Sequence, residues 1–331
     1  MRMARMSEKR GESIVARLVI AAAVSLMVVS SCEKNAKLKI GSILFDGTNE
    51  WFVEAIAGMR DAAKEFDVML VEADSHYDVS VERDLVKEML KDDVKSIVIC
   101  PLSVEESGRS LRLASEVDVP VVTWNSVVQP RPAVQVIVDS TELGRATALC
   151  LCRFVEENGL SDVRAGLVID DSFSIGKERC DGFRDGLKTL VDAGKLRIVR
   201  QIRGNLYEQA SVSVVKMLSE HPDINFVWCW NQMSLMAAVD VIKRLGRDDI
   251  IVAGTDMSMS LAEEMRGGGN LLFVTTQQPY MLGYEAVRNA VRAAKGESIE
   301  PTVVIPTLTY TRDDSEGLDG YMKSHARFVD K

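Results

Sequence analysis

The feature that most constrains this chain is a repeated change of period. From Leu38 onward, short runs rich in Val and Ile alternate with longer segments whose apolar residues recur at helical spacing. Such alternation is the signature of a parallel sheet covered by helices on both faces. In the first unit Leu38 to Leu44 reads as a strand, and Phe52, Ala55, Ile56, Met59, Ala62, Ala63 and Phe66 then follow one helical face. Strands are predicted again at 68–71, 97–100, 119–123 and 134–138, with helices at 80–91 and 105–116 between them. A second series runs through helix 143–156, strand 165–169, helix 178–191, strand 196–202, helix 208–220, strand 226–230, helix 235–244 and strands 250–254 and 271–275. The expected class is therefore α/β, with a separate sheet for each series. Independent domains are usually joined by flexible linkers. No Pro/Gly/Ser-rich stretch parts the two series, so the lobes are expected to be interwoven. Residues from Asp313 onward, with Gly317 and Gly320, read as a polar tail.

A chain of 331 residues with 47% apolar content can bury two cores without metal or disulfide staples. The net charge of −9 and the lack of long basic runs argue against a nucleic-acid partner. Residues 1–31 have the layout of a secretory signal: a basic start at Arg2, Arg5, Lys9, Arg10 and Arg17, then the uncharged run Leu18 to Val29. That run is shorter than the roughly 20 apolar residues a membrane span needs. Val29, Ser30, Ser31 and Cys32 then look like a bacterial lipobox, which makes Cys32 the lipid attachment site and 32–37 a lipidated linker. The alternative is a soluble periplasmic protein in which Cys32 is incidental. Of the six cysteines this leaves Cys100, Cys150, Cys152, Cys180 and Cys229, an odd number that does not read as a disulfide framework. Cys150 and Cys152 lie two apart on a predicted helix and point to different faces, which disfavours a metal site.

Enzyme chemistry finds little support. His76 and His221 lie in polar turns and His325 in the tail, and no nucleophile elbow, P-loop, zinc signature or dinucleotide fingerprint follows a strand. The run Gly267-Gly268-Gly269 precedes a strand, so it reads as a turn and not a phosphate cradle. No cofactor and no metal are expected.

A set of short motifs is more telling. Asn49-Glu50-Trp51-Phe52, Val119-Pro120-Val121-Val122, Asp139 with Gly144, Arg179 with Gly182-Phe183, His221-Pro222-Asp223, Trp230-Asn231-Gln232, Gly254-Thr255-Asp256 and Gln277 occur in this order. Together they closely resemble the ribose/galactose-type periplasmic binding proteins over nearly the whole mature chain. The resemblance implies two Rossmann-like lobes with parallel sheets, joined by three crossing segments, with a ligand in the cleft: the type I periplasmic binding protein fold. Crossings are expected near Asp139–Ser140, Gln277 and Pro301. The N-terminal lobe would then be 38–139 plus 278–301, and the C-terminal lobe 140–277 plus 302–331.

Open parallel sheets bind ligands beyond the carboxyl ends of their strands, where most of these residues fall. Trp51 and Phe52 match the family's aromatic platform for a sugar ring, although Phe52 also suits the core stripe of its helix. Asn49 can serve as helix cap, as ligand contact, or as both. Asn125 stands where the family carries an Asp or Asn, and Lys177 where members commonly place an arginine. Asn231 and Asp256 end apolar strands, where a polar side chain is costly in a core and useful at a cleft. Gln277 sits at a crossing. Because these are cleft residues, replacing Asp256 is expected to leave folding intact.

Departures from the family bear on the ligand. Ser126 stands where ribose binders have an arginine, Leu206 where an aromatic ring often closes the second face, and Ser140 where an asparagine usually follows the aspartate. The expected function is a monomeric, membrane-anchored periplasmic lipoprotein that captures a sugar or sugar-like small molecule and delivers it to an ABC-type permease. The alternative is a receptor that presents its ligand to a sensor kinase or chemoreceptor. The lipobox generates the first prediction: cells fed a palmitate analogue should label the wild-type chain and not Cys32→Ser, and equal labelling would dismiss the anchor.

Overall fold

The computed structural model describes residues 37–129, 131–172 and 174–329. The signal segment 1–31 and the attachment site Cys32 lie outside them. All elements below belong to the compact unit Lys39–Lys331. The first part runs β1 (Lys39–Leu44), α1 (Glu50–Glu65), β2 (Met69–Asp74), α2 (Val79–Lys91), β3 (Ser96–Ile99), α3 (Val104–Ser115), β4 (Val121–Trp124) and β5 (Val134–Ile137). Next come α4 (Ser140–Glu157), β6 (Val163–Ile169), α5 (Ser174–Gly186), α6 (Lys188–Asp192), β7 (Leu196–Arg203), α7 (Tyr207–Glu220), β8 (Phe226–Cys229), α8 (Gln232–Arg244), β9 (Ile251–Thr255), α9 (Met259–Arg266) and β10 (Leu271–Thr276). The chain ends with α10 (Pro279–Ala294), β11 (Thr302–Val304), β12 (Leu308–Thr311) and α11 (Ser315–Val329).

Two six-stranded sheets result, in the orders β11-β5-β4-β3-β1-β2 and β12-β10-β9-β8-β6-β7. Every pairing in the first is parallel, and in the second only β12 runs antiparallel, against β10. Central strands are buried on both faces, as in β3 and β8, which is why they read as unbroken apolar runs. The edge strand β7 instead carries Arg197, Arg200 and Arg203, which discourage pairing with another chain.

The backbone passes between the sheets at 138–139, after β10 at 277–278, and between β11 and β12. The passages are tied together: Ile305 N–H donates to the Ile137 carbonyl at 2.8 Å, and Gln278 Nε2 donates to the Pro306 carbonyl at 2.7 Å. The third passage therefore follows Val304 and not Pro301, because residues 302–304 still pair with β5 of the first sheet. The stretch read as a polar tail is helix α11, whose Leu318 and Tyr321 are buried in the second lobe. The helix expected at 178–191 starts earlier and breaks at Leu187 into α5 and α6.

Each lobe contains a helix crossing so close that it excludes side chains. A methyl group on Gly144 of α4 would lie 1.9 Å from the Arg179 carbonyl oxygen, and one on Gly182 of α5 would lie 1.9 Å from that of Thr141. The first lobe repeats the device with Gly58 of α1 and Gly283 of α10, where an added methyl group would lie 2.0 Å from a backbone oxygen of the partner helix. These contacts fix Arg179 and Trp51 relative to their sheets. Gly182→Ala is expected to destabilise the fold by about 2 kcal/mol or more, since backbone must move to admit the methyl. Gly320→Ala on α11, where nothing lies within 4 Å, should be close to neutral. Urea denaturation of both variants checks this, and equal midpoints would contradict it.

Candidate functional site

Between the two lobes lies a cavity of about 300 Å³ that collects residues from loops at the carboxyl ends of the strands. From the first lobe come Phe45, Asn49, Trp51, Phe52 and Asn125. The loop after β1 is held by Asp46, whose carboxylate accepts from Thr48 N, Thr48 Oγ1, Asn49 N and Tyr77 Oη. Partial burial opposes ionisation of Asp46, but these hydrogen bonds outweigh it and hold the carboxyl below its ordinary range. The same arrangement pushes the Tyr77 hydroxyl up to about 12, first through burial and then through its bond to that carboxylate. Asn49 then caps α1 by accepting from Trp51 N at 2.9 Å.

The aromatic wall has depth. Trp51 stacks on Trp124 at 5.8 Å between ring centroids and 8° between planes, and Phe52 meets Phe45 and Trp51 edge-on at 4.8 and 5.0 Å. Trp124 is fully buried behind Trp51 and does not line the cavity. Phe52 is both core, at 6% exposure, and cavity wall.

The second lobe contributes Ile175, Arg179, Asn205, Trp230, Asn231, Gln232, Met233 and Asp256, and the crossing contributes Gln277. Asn231 caps α8 through Ser234 N and also donates to Asn205 Oδ1, both at 2.9 Å. Arg179 is the polar centre. Its Nη1 donates to Asp256 Oδ2 at 2.8 Å, to the Trp230 carbonyl at 2.7 Å and to Thr255 Oγ1 at 3.1 Å. Its guanidinium lies 5.7 Å from the Trp230 ring centroid. The other Asp256 oxygen accepts from Gln277 Nε2 at 2.8 Å.

Asn49, Trp51, Phe52, Asn125, Asn231, Asp256 and Gln277 thus share one cavity, whereas Lys177 does not line it. Lys177 precedes Arg179 by two residues, a turn of roughly 200° around a helix, and its exposed ammonium pairs with Asp181 at 2.5 Å. Arg179 takes the inward position, one helical turn after Ile175. Sequence reasoning left Phe45, Arg179, Asn205 and Trp230 out of the site; a charged residue on the apolar face of α5 was the available signal for Arg179. Leu206, where a second ring was sought, is exposed, and the second lobe's ring is Trp230.

A larger cavity of about 820 Å³ opens at the amino ends of β9 and β10, beside Lys243, Glu264 and Arg312. Three of its charged groups are engaged with protein: Lys243 pairs with Glu264, and Arg312 donates to the Gly269 carbonyl. Among the described residues no group of His, Cys, Asp and Glu could hold a metal ion, and no helix is long and apolar enough to cross a membrane.

Residues 40–298 match the model of the periplasmic binding protein domain, and the chain belongs to that family. The ABC transporter periplasmic-binding protein YphF of Escherichia coli (strain K12) is 22% identical over 299 residues, covering 88% of this chain and 90% of the relative. The ribose import binding protein RbsB of the same organism is 23% identical over 282 residues, covering 85% and 93%. Among solved structures, an ABC transporter periplasmic solute binding protein from Actinobacillus succinogenes 130z with bound D-allose superposes with a TM-score of 0.76 at 18% identity, covering 85% and 100%. A carbohydrate transporter solute binding protein from Agrobacterium radiobacter in complex with D-arabinose superposes at 0.74 and 21%, covering 88% and 99%. The type I periplasmic binding protein fold expected from the motifs is the fold observed.

Arg179 and Asp256 are 2% and 5% exposed, which alters the expectation for folding. Removing one partner strands the other charge, so Asp256→Ala should lose about 3 kcal/mol or more of stability. Arg179→Met combined with Asp256→Asn should recover most of that loss, since no buried charge is then left unpaired and Asn accepts the left-handed backbone at this position. Denaturant titration of the single and double variants measures this; an Asp256→Ala chain as stable as wild type would refute it.

Proposed function

We propose that this protein is a membrane-anchored lipoprotein of the periplasm that captures a sugar or sugar-like polyol between its lobes and hands it to an ABC-type permease. The observation that carries this reading is the mixed lining of the cavity. Both lobes offer aromatic rings, Trp51 and Phe52 from one and Trp230 from the other, and both offer amides, Asn49 and Asn125 facing Asn205 and Asn231, with the Asp256 carboxylate beside them. A sugar ring has the matching character, with an apolar face for the rings and a rim of hydroxyls for the polar groups. Neither lobe alone completes the site. The relatives support the class: several import ribose by name, and one imports D-apiose. Anchoring rests on the lipobox at 29–32, and several acyl chains at about 0.8 kcal/mol per buried CH₂ would hold the chain on its membrane.

The cavity argues for a small ligand, since about 300 Å³ is the lower end for small-molecule pockets. The ion pair of Arg179 with Asp256 leaves that part of the wall with no net charge, which favours a neutral polyol. A thermal-shift screen with D-ribose, D-arabinose, D-allose, D-apiose, D-galactose and polyols tests the class. A true ligand at one hundred times its Kd stabilises by about 2.7 kcal/mol, a rise in Tm of roughly 5 °C for a chain of this size. Trp51→Ala should abolish the shift. Stabilisation by amino acids or metal ions alone would refute the sugar reading.

A further inference from the structure

From the rim of the cavity outward, one face of α1 reaches across to the second lobe at two points a helical turn apart. At the first, Glu50 Oε1 accepts from the backbone N–H of Met259 at 3.2 Å and Oε2 from Gln232 Nε2 at 3.4 Å. Met259 and Gln232 are the opening residues of α9 and α8, so the Glu50 carboxylate faces the positive ends of two helices of the opposite lobe. At the second, Glu54 Oε1 lies 3.0 Å from His325 Nε2 on α11 and also accepts from Tyr280 N at 3.4 Å.

Helix α11 lies beyond residues 40–298, the part matched by the family, and it touches both lobes. Leu318 and Tyr321 are buried in the second lobe, with Tyr321 at 5.2 Å from the Tyr310 ring. Toward the first lobe, Arg327 pairs with Asp61 at 3.3 Å and lies over the Tyr280 ring. The His325 ring stacks on Tyr321 at 3.7 Å, and its Nδ1 faces the Tyr321 carbonyl at 2.7 Å and Ser324 Oγ at 2.9 Å. Ser324 Oγ donates to that same carbonyl at 2.9 Å, so it cannot also donate to Nδ1. Both ring nitrogens therefore face acceptors, and only the imidazolium carries two N–H groups. In contact with it are Glu54 from α1 and Tyr321, Ser324 and Phe328 from α11; in the adjoining cluster Asp61 of α1 pairs with Arg327 of α11 and accepts from Tyr280 of α10, and Tyr310 of β12 packs on Tyr321. Arg327 is engaged with Asp61, which leaves His325 as the cation for Glu54.

We propose that Glu50 and Glu54 form a two-point latch that holds the lobes together, and that its His325 arm lets go as pH rises. Protonated, His325 satisfies Glu54 and the Tyr321 carbonyl at once. Deprotonated, it presents a lone pair to one of them, and the contact between the lobes turns repulsive. Because only the closed arrangement brings Glu50 to α8 and α9, each arm shifts the balance between open and closed lobes, and with it the apparent affinity for whatever the cleft binds. The consequence for binding rests on the function proposed above; the latch itself does not.

The test needs no ligand, so its failure is distinct from failure of the sugar reading. Small-angle scattering is recorded on the full chain bearing Cys32→Ser, at about pH 5.5 and about pH 8.5. The radius of gyration should be smaller at the lower pH. Glu50→Gln, which keeps the shape and removes the charge, should shift the open-to-closed ratio about tenfold toward open at both values, the scale for one charged hydrogen bond. His325→Gln should give a radius that no longer depends on pH, with circular dichroism reporting that each variant is folded. Identical radii for Glu50→Gln and its parent overturn the Glu50 arm. A pH effect that is absent from the parent, or that survives His325→Gln, overturns the histidine arm.

Discussion

A guanidinium held at 2% exposure must have its charge answered, and the answer to Arg179 organises the whole second half of the site. Its partners are the carboxylate after β9, the carbonyl of Trp230 after β8 and the hydroxyl of Thr255, so one side chain on α5 ties together two neighbouring strand ends. Asp256 passes the tie on to Gln277, the residue where the chain leaves the second sheet for the first lobe. The polar wall and the crossing are therefore one network. The close approach of α5 to α4 at Gly182 and Gly144 is what sets Arg179 at the right depth.

The two lobes solve the same problem in parallel ways. Asn125 follows β4 with φ of 64° and Asp256 follows β9 with φ of 68°, left-handed conformations that Asn and Asp accept more readily than other side chains. In both cases the chain turns sharply out of the sheet and leaves a short polar side chain at its carboxyl edge. Asn49 and Asn231 form a second matched pair, each a helix cap and each in the cavity wall. Capping and ligand contact are compatible because the cap uses the side-chain oxygen and leaves the amide nitrogen to other partners, as Asn231 shows with Asn205.

Much of this was legible in the sequence. Strands such as β3, β8 and β9 are short apolar runs bounded by polar residues, and burial on both faces leaves them no other reading. The residues ending them were legible for the same reason. Lys177 misled because a resemblance locates a position and not a direction: on α5 the two-residue step to Arg179 decides which side chain points inward. Short strands β11 and β12 carry too few residues to show a period, so the third crossing was displaced. Helix α11 was hidden by Gly317 and Gly320, although Leu318, Tyr321 and Phe328 do recur at helical spacing. His325 was consequently assigned to a tail, whereas its ring is packed between the lobes.

Motion in this architecture has few places to occur. Within each lobe, helices cross at backbone contact and sheets are buried on both faces, and such interiors shift as units or not at all. The crossings are different: they are short segments without helix or strand, and Gln278 there adopts a left-handed φ of 56°. Small backbone changes at three such segments, themselves hydrogen-bonded to one another, can reorient whole lobes at little internal cost. What then decides between open and closed is the sum of contacts made across the gap. The contacts made by Glu50 and Glu54 lie on α1, which also presents Trp51 and Phe52 to the cavity. The Trp51 ring in the cavity wall and the carboxylate that reaches α8 and α9 thus belong to one rigid helix, so under the function proposed above a ligand on that ring and the contacts between the lobes would act on the same body.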